Sequence, residues 1–237
     1  MSGKKKLKQF AENATFKHVI EPSTGSIVNK NEGFRLVDHE LKGRWNELVF
    51  QNNNPITLEL ACGKGEYTVG MARHFPHRNF IGIDIKGARI WSGAKIIEEE
   101  KLSNAVFLRT RIDFITSFFA NDEVSEIWIT FPDPQPQKNR AKKRLTSPVF
   151  IARYKEFLIK EGRINLKTDN EFFFNYTLEE IEKNSYPLHY FSHRVYEDMA
   201  SLPKDDLKTL MEIKTHYELL FAAKGHPIQF LQFSLTE

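Results

Sequence analysis

From Pro55 onward, short apolar runs alternate with stretches whose apolar residues recur at helical spacing. ITLELA (56–61) is rich in strand formers and runs into the glycine loop CGKG. EYTVGMARHF (66–75) has helical periodicity, with Tyr67, Val69, Met71, Ala72 and Phe75 as the inward positions. FIGIDI (80–85) is nearly continuous apolar sequence around Asp84, which suits a strand buried on both faces. RIWSGAKIIEEEKL (89–102) reads as a helix, AVFLRT (105–110) as a third strand and VSEIWITF (124–131) as a fourth. DFITSFFAN (113–121) lies between those last two.

Further on, Thr146-Ser147-Pro148 is a helix start, a hydroxyl cap followed by proline in the first turn. It predicts a helix over VFIARYKEFLIKE (149–161), ended by Gly162, and then a strand RINLKTD (163–169). EFFFNYTLEEIEKN (171–184) predicts another helix and LHYFSHRVYED (188–198) another strand. One helix over TLMEIKTHYELLFAAKG (209–225) and a last strand PIQFLQFSL (227–235) close the chain. Such alternation predicts an α/β fold, a mostly parallel sheet with helices on both faces. Residues 34–50 read as a leading helix or loop on the core. Residues 1–33, polar, basic and weakly patterned, read as a flexible arm before a single domain at 34–237.

Composition changes this picture little. The 237 residues are 41% hydrophobic and 27% charged, with a net charge of +3, normal for a globular domain. One cysteine, Cys62, excludes an internal disulfide framework and suits a reducing cytoplasm. No apolar run approaches the ~20 residues of a membrane helix, and the basic N-terminus lacks a signal peptide's apolar stretch. His189 and His193 lie four apart on an expected strand, so no metal site is expected there.

The glycine loop carries the first chemical signal. Gly63 and Gly65 let the backbone approach a ligand, and Asp84 follows at about the 20-residue spacing of a ribose-binding acid. A nucleoside-containing cofactor is expected. A dinucleotide is disfavoured, because Thr68 stands in the third glycine slot and Glu59 sets a carboxylate where a pyrophosphate would lie. A ligand with an ammonium and a sulfonium, such as S-adenosylmethionine, suits Glu59 better. The bland alternative is an ordinary turn with Asp84 as a cap.

The second signal is FPDPQPQKNRAKKR (131–144). Pro132 and Pro134 restrict the backbone around Asp133, just past the carboxyl end of the fourth strand, where open α/β sheets bind ligands. Lys138, Arg140, Lys142, Lys143 and Arg144 then put five cations in a seven-residue run without an acid. That is either a solvated face or a track for nucleic-acid phosphates, which position a polyanion without reading its bases.

LELACGKGEYTVGMA, FIGIDIKGARI, WITFPDPQPQKNRAKKRLT, INLKTDN and THYELLFAAKGHPI resemble, in order and spacing, the bacterial-type tRNA (guanine-N7)-methyltransferases. The resemblance runs from Leu58 to the C-terminus. It implies a class I methyltransferase (Rossmann-like) fold with a doubly wound, seven-stranded, mostly parallel sheet and an antiparallel last strand. It implies methyl transfer from S-adenosylmethionine, leaving S-adenosylhomocysteine, to N7 of guanosine 46 in the tRNA variable loop. Carried over by motif, Glu59, Gly63, Gly65, Asp84 and Asp133 contact cofactor, as does Arg111 or Asp113. Asp133 matches the catalytic acid. Gln137, Lys138, Arg140, Lys142, Lys143, Arg144, Asp169, Thr215, His216, Tyr217 and Glu218 fall at or beside substrate positions. Gln135 and Gln137 depart from the family's usual tryptophan and lysine. A methyltransferase for another RNA or guanosine, a dinucleotide oxidoreductase and a non-catalytic RNA-binding relative remain as alternatives. The sequence leaves open whether the chain is a monomer or a homodimer.

Overall fold

The computed structural model describes residues 3–29, 35–222 and 225–236. In chain order the elements are α1 (Gly3–Asn13), β1 (Val19–Ile20), β2 (Val28–Asn29), β3 (Arg35–Leu36), β4 (Ile56–Leu60), α2 (Glu66–His74), β5 (Asn79–Asp84), α3 (Gly87–Glu100), β6 (Ala105–Arg109) and β7 (Val124–Thr130). There follow α4 (Pro148–Tyr154), β8 (Leu158–Thr168), α5 (Glu171–Lys183), β9 (Leu188–Ser192), α6 (Asp205–Glu212), α7 (His216–Ala222) and β10 (Gln229–Ser234).

One sheet runs β1-β6-β5-β4-β7-β8-β10-β9. The strands from β6 to β8 pair in parallel, and β10 inserts antiparallel between β8 and β9. These are the expected seven strands, and the two-residue β1 extends the β6 edge as an eighth. Side-chain alternation divides the core in two. Leu58, Leu60, Ile81, Ile83, Ile127 and Ile129 face one layer with Phe150, Tyr154, Phe173 and Phe174. Phe80, Phe107, Trp128 and Phe230 face the other, against Tyr67, Met71, Ala94 and Leu210. The doubly wound architecture follows from burying both faces. Among the described residues no helix is long and apolar enough to cross a membrane.

Three local expectations are corrected. The helix after Pro148 stops at Tyr154, and β8 begins at Leu158, before Gly162. Val124 donates its N–H to Phe157 O and pairs with Leu158, so the neighbouring strand captures sequence that alone would continue the helix. The predicted helix over 209–225 is two helices, broken at Ile213–Thr215, where Lys167 draws on the carbonyls of Met211 and Ile213.

Third, residues 3–29 are packed against the domain, where the sequence suggested a free arm. The proposed boundary at 33/34 falls outside the described residues. Asn13 is buried and donates to Gly87 O at 2.8 Å, and Trp91 Nε1 donates to Glu12 Oε2 at 2.8 Å. The guanidinium of Arg109 lies 4.8 Å over the Phe10 ring. We expect Phe10→Ala to cost about 1–2 kcal/mol of unfolding free energy, a half-buried share of a core aromatic deletion. Urea denaturation measures this, and a free arm would give no change.

Candidate active site

The site lies at the carboxyl edge of β4, β5, β6, β7 and β8. After β4 the chain turns sharply, with positive φ at Ala61 (59°), Gly63 (58°) and Gly65 (73°). The two glycines serve different ends. A Cβ on Gly63 would find nothing closer than 4.0 Å, so that face is open to a ligand. A Cβ on Gly65 would meet the Phe107 ring at 2.2 Å, so Gly65 is there for packing.

Asp84 spans from β5 to this loop. Its Oδ2 accepts from Gly63 N at 3.0 Å and its Oδ1 from Lys86 N at 2.8 Å. Lone pairs on both oxygens remain for other donors. Asp84 lines a cleft of about 290 Å³ with Ala61, Ile85, Thr110, Arg111 and Ile112. Asp113, Lys143, Leu145 and Phe150 complete the wall. Ile85 is 53% exposed and offers the cleft an apolar face that sequence reading had missed. Its signal was an apolar residue directly after the acid that ends β5. Arg111 and Asp113 both reach the wall, joined by a 3.2 Å ion pair. A second depression, of about 410 Å³, shares Ile85, Thr110 and Arg111 and is walled by Glu21, Pro22, Ser23 and Thr24.

Glu59 behaves otherwise than its motif suggested. It is 1% exposed and sits under the loop, not in the cleft. Its Oε2 accepts from Thr68 N at 2.7 Å and from the Thr68 hydroxyl, and its Oε1 from Thr130 Oγ1 at 2.7 Å. It therefore ties the glycine loop and α2 to the end of β7. Burial pushes its carboxyl up to about 7, against the lowering effect of those hydrogen bonds. Glu59 therefore sets a weaker negative charge against a pyrophosphate than a fully ionised carboxylate would. Cys62 is buried beside it with its thiol pushed well up, first by burial and then by Glu59 and Asp84.

Asp133 is exposed, on the loop leaving the neighbouring strand β7, and is not among the residues lining the cleft. Its Oδ1 accepts from Gln135 N at 3.1 Å, and Phe131 (φ 47°) and Gln135 (φ 45°) bracket it in left-handed backbone. Phe131 N donates to Lys167 O at 2.9 Å, which fixes where this loop departs.

The basic run divides. Gln137 caps a short 3-10 helix, Lys138–Lys143, on which Lys138, Arg140, Lys142 and Lys143 are exposed. Among the described residues none of these four has a carboxylate partner. Arg144 is a correction, since only 6% of it is exposed. Its guanidinium donates to Gln135 O at 3.1 Å and Pro136 O at 3.4 Å and stacks on Tyr176 and Phe172 at 4.3 and 4.8 Å. It holds the loop instead of offering a phosphate site.

Asp169 is half-buried at the end of β8, and burial raises its carboxyl above the ordinary range. Thr215 and Glu218 form a reciprocal cap. Glu218 N donates to Thr215 Oγ1 at 3.1 Å, and Thr215 N to Glu218 Oε2 at 3.4 Å. Glu218 is 1% exposed, and its Oε1 is 3.1 Å from the fully buried Lys167 Nζ and accepts from Tyr196 OH. Thr215 and Glu218 therefore face inward, whereas His216 and Tyr217 are exposed. Burial lowers Lys167 to about 8 and raises Glu218. Sequence reading missed Lys167, though a lysine within the apolar strand INLKT calls for a buried partner. Among the described residues no group of three or more His, Cys, Asp or Glu side chains could hold a metal ion.

Comparison with known proteins shows the family and the fold. A family model described as "Putative methyltransferase" matches residues 53–231. A tRNA (guanine-N(7)-)-methyltransferase of Christiangramia forsetii is 46% identical over 99% of this chain and 100% of its own length. One from Bacteroides fragilis is 44% identical over 99% of this chain and 87% of its own. In fold, a solved 16S rRNA methyltransferase, KamB, superposes with a TM-score of 0.57 at 13% identity, over 86% of this chain and 98% of its own.

Two outcomes test the buried charges. Lys167→Met leaves buried Glu218 with Lys214, 3.5 Å away, and the Tyr196 hydroxyl, and should cost toward the low end of about 3–5 kcal/mol, most of it recovered in Lys167→Met/Glu218→Gln, by chemical denaturation. Glu59 has a folded value of about 7 against 4.5 unfolded, so its favourable contribution is full below 4.5 and lost as pH rises through 7. Relative to Glu59→Gln, the native chain should therefore lose up to about 3 kcal/mol between pH 4.5 and 8.

Proposed function

The chain belongs to the tRNA (guanine-N(7)-)-methyltransferase family, and we propose that it methylates N7 of guanosine 46 in the tRNA variable loop, using S-adenosylmethionine. The observation that carries this reading is one shared wall: Lys143, the last residue of the exposed basic helix, also lines the cleft of Asp84. Donor and polyanion are thereby brought to the same edge of the sheet.

The cleft residues fit the donor. Asp84 can take both ribose hydroxyls, the open face of Gly63 admits the chain of the ligand, and exposed Ile85 gives the adenine an apolar surface. Arg111 and Asp113 flank that surface. A 16S rRNA adenine methyltransferase of similar fold (TM-score 0.52) was solved with its cosubstrate SAM. When bound, the donor supplies an electrophilic methyl group on a sulfonium and leaves as S-adenosylhomocysteine.

N7 of guanine has an accessible lone pair, so no proton need leave before the bond forms. The protein's contribution is then mainly orientation and electrostatics. Asp133 needs no role as a base. Held by its own turn, it accepts a hydrogen bond from the N1/N2 edge of guanine and favours the cationic purine that results. Asp169 shares that edge. Lys138, Arg140, Lys142 and Lys143 grip phosphates, the exposed Gln137, His216 and Tyr217 add contacts to the RNA, and the work belongs in the cytoplasm with tRNA.

Incubation with labelled donor and total tRNA, followed by chemical cleavage at N7-methylguanosine, should give one site in the variable loop. Label at another atom, or in another RNA only, would overturn the assignment. Asp133→Asn should lower kcat at least tenfold with an unchanged melting temperature, because among the described residues the exposed Asp133 side chain accepts a hydrogen bond from its own turn alone.

A further inference from the structure

Phe172, Phe173 and Phe174 follow one another, and the fold treats them differently. Phe173 and Phe174 are fully buried, whereas Phe172 is 45% exposed. It stands in the first turn of α5, just after the cap in which Asn170 Oδ1 accepts from Phe173 N at 2.9 Å. Asp169, at the end of β8, is three residues before it.

The ring is backed by a fixed cation. Arg144 lies 4.8 Å from it, with Tyr176 also against that guanidinium at 4.3 Å. Arg144 is in turn bonded to the carbonyls of Gln135 and Pro136, two and three residues past Asp133. One guanidinium therefore joins the exposed ring to the loop of Asp133. The ring pays little further entropy to receive a ligand, being already supported and oriented. A flat apolar face three residues from Asp169, linked through Arg144 to the loop of Asp133 and to cations that have no carboxylate partner among the described residues, has the features of a single-strand RNA site, where phosphates are tracked by charge and bases stack on aromatic rings.

We propose that Phe172 is the stacking platform for the target purine, meeting the base by its face while Asp169 and Asp133 meet its edge. This rests on the RNA-methylating reading above. It adds a contact that neither the glycine loop nor the basic run supplies, and it explains why a phenylalanine is left in solvent at this edge. A guanosine unstacked from folded tRNA loses its neighbours, and the ring replaces one of them.

The test uses the full chain with Phe172→Ala, Phe172→Leu and Phe172→Trp, in steady-state methylation of tRNA. Stacking on this ring predicts that Ala and Leu raise KM for tRNA roughly tenfold to a hundredfold. KM for S-adenosylmethionine and the melting temperature should stay near native values, and Trp should preserve KM for tRNA. Leu keeps apolar support for Arg144 but has no π-face, so it separates the two roles. Native KM for tRNA in both Ala and Leu overturns the proposal. So does a loss in Ala alone that follows a lowered melting temperature, since the ring would then serve only Arg144. A wild-type chain that leaves tRNA unmethylated overturns the functional reading, and this inference with it.

Discussion

A charge buried in the middle of a sheet must be met by whatever elements pack around it, and here that requirement builds the site. Glu59 and Lys167 both lie in central strands and both are enclosed. Glu59 recruits Thr68 from α2 and Thr130 from β7, which draws the glycine loop down onto the sheet. Lys167 recruits Glu218 and the carbonyls at the α6–α7 break, while its own carbonyl holds Phe131 at the start of the Asp133 loop. The glycine loop and the α6–α7 break are fixed by side chains that never reach the cleft, and the Asp133 loop by the backbone carbonyl of Lys167. What each provides is a fixed departure point for a functional loop.

Much of the scaffold was legible in the sequence because its strands are buried on both faces. Runs such as FIGIDI and EIWIT have few readings other than central parallel strands, and β5 and β7 lie where those runs predict. The misreadings came where long-range contact overrides local pattern. KEFLIKE has helical spacing, yet pairing with β7 makes Leu158 onward a strand. MEIKTHYE reads as one helix, yet Lys167 takes the carbonyls that would continue it. The N-terminal segment looked too polar to pack, and its few apolar residues suffice because α3 and Arg109 supply the complementary surface.

The site shows the same division. Gly63 and Asp84 are set by a local turn and a strand end, so spacing alone suggested that they meet, and Asp84 does accept from Gly63 N. Arg144 and Glu218 were charged residues in motif positions, and charge is read from sequence as exposure. Their partners, Phe172 and Tyr176 for one and Lys167 for the other, lie 28 or more positions away and were invisible to pattern. Among the described residues the exposed remainder of the basic run has no carboxylate partner, and Lys143 joins it to the wall of the Asp84 cleft.

The central claim is that one edge of this sheet seats the methyl donor in the Asp84 cleft and the target guanine against Asp133. The most direct measurement is an experimental structure of the chain with tRNA and S-adenosylhomocysteine. The account predicts the ribose hydroxyls on Asp84, the sulfur near the Gly63 loop, and guanine N7 facing that sulfur with its opposite edge toward Asp133. A nucleoside bound outside the Asp84 cleft, or a guanine held away from the Asp133 loop, would contradict it.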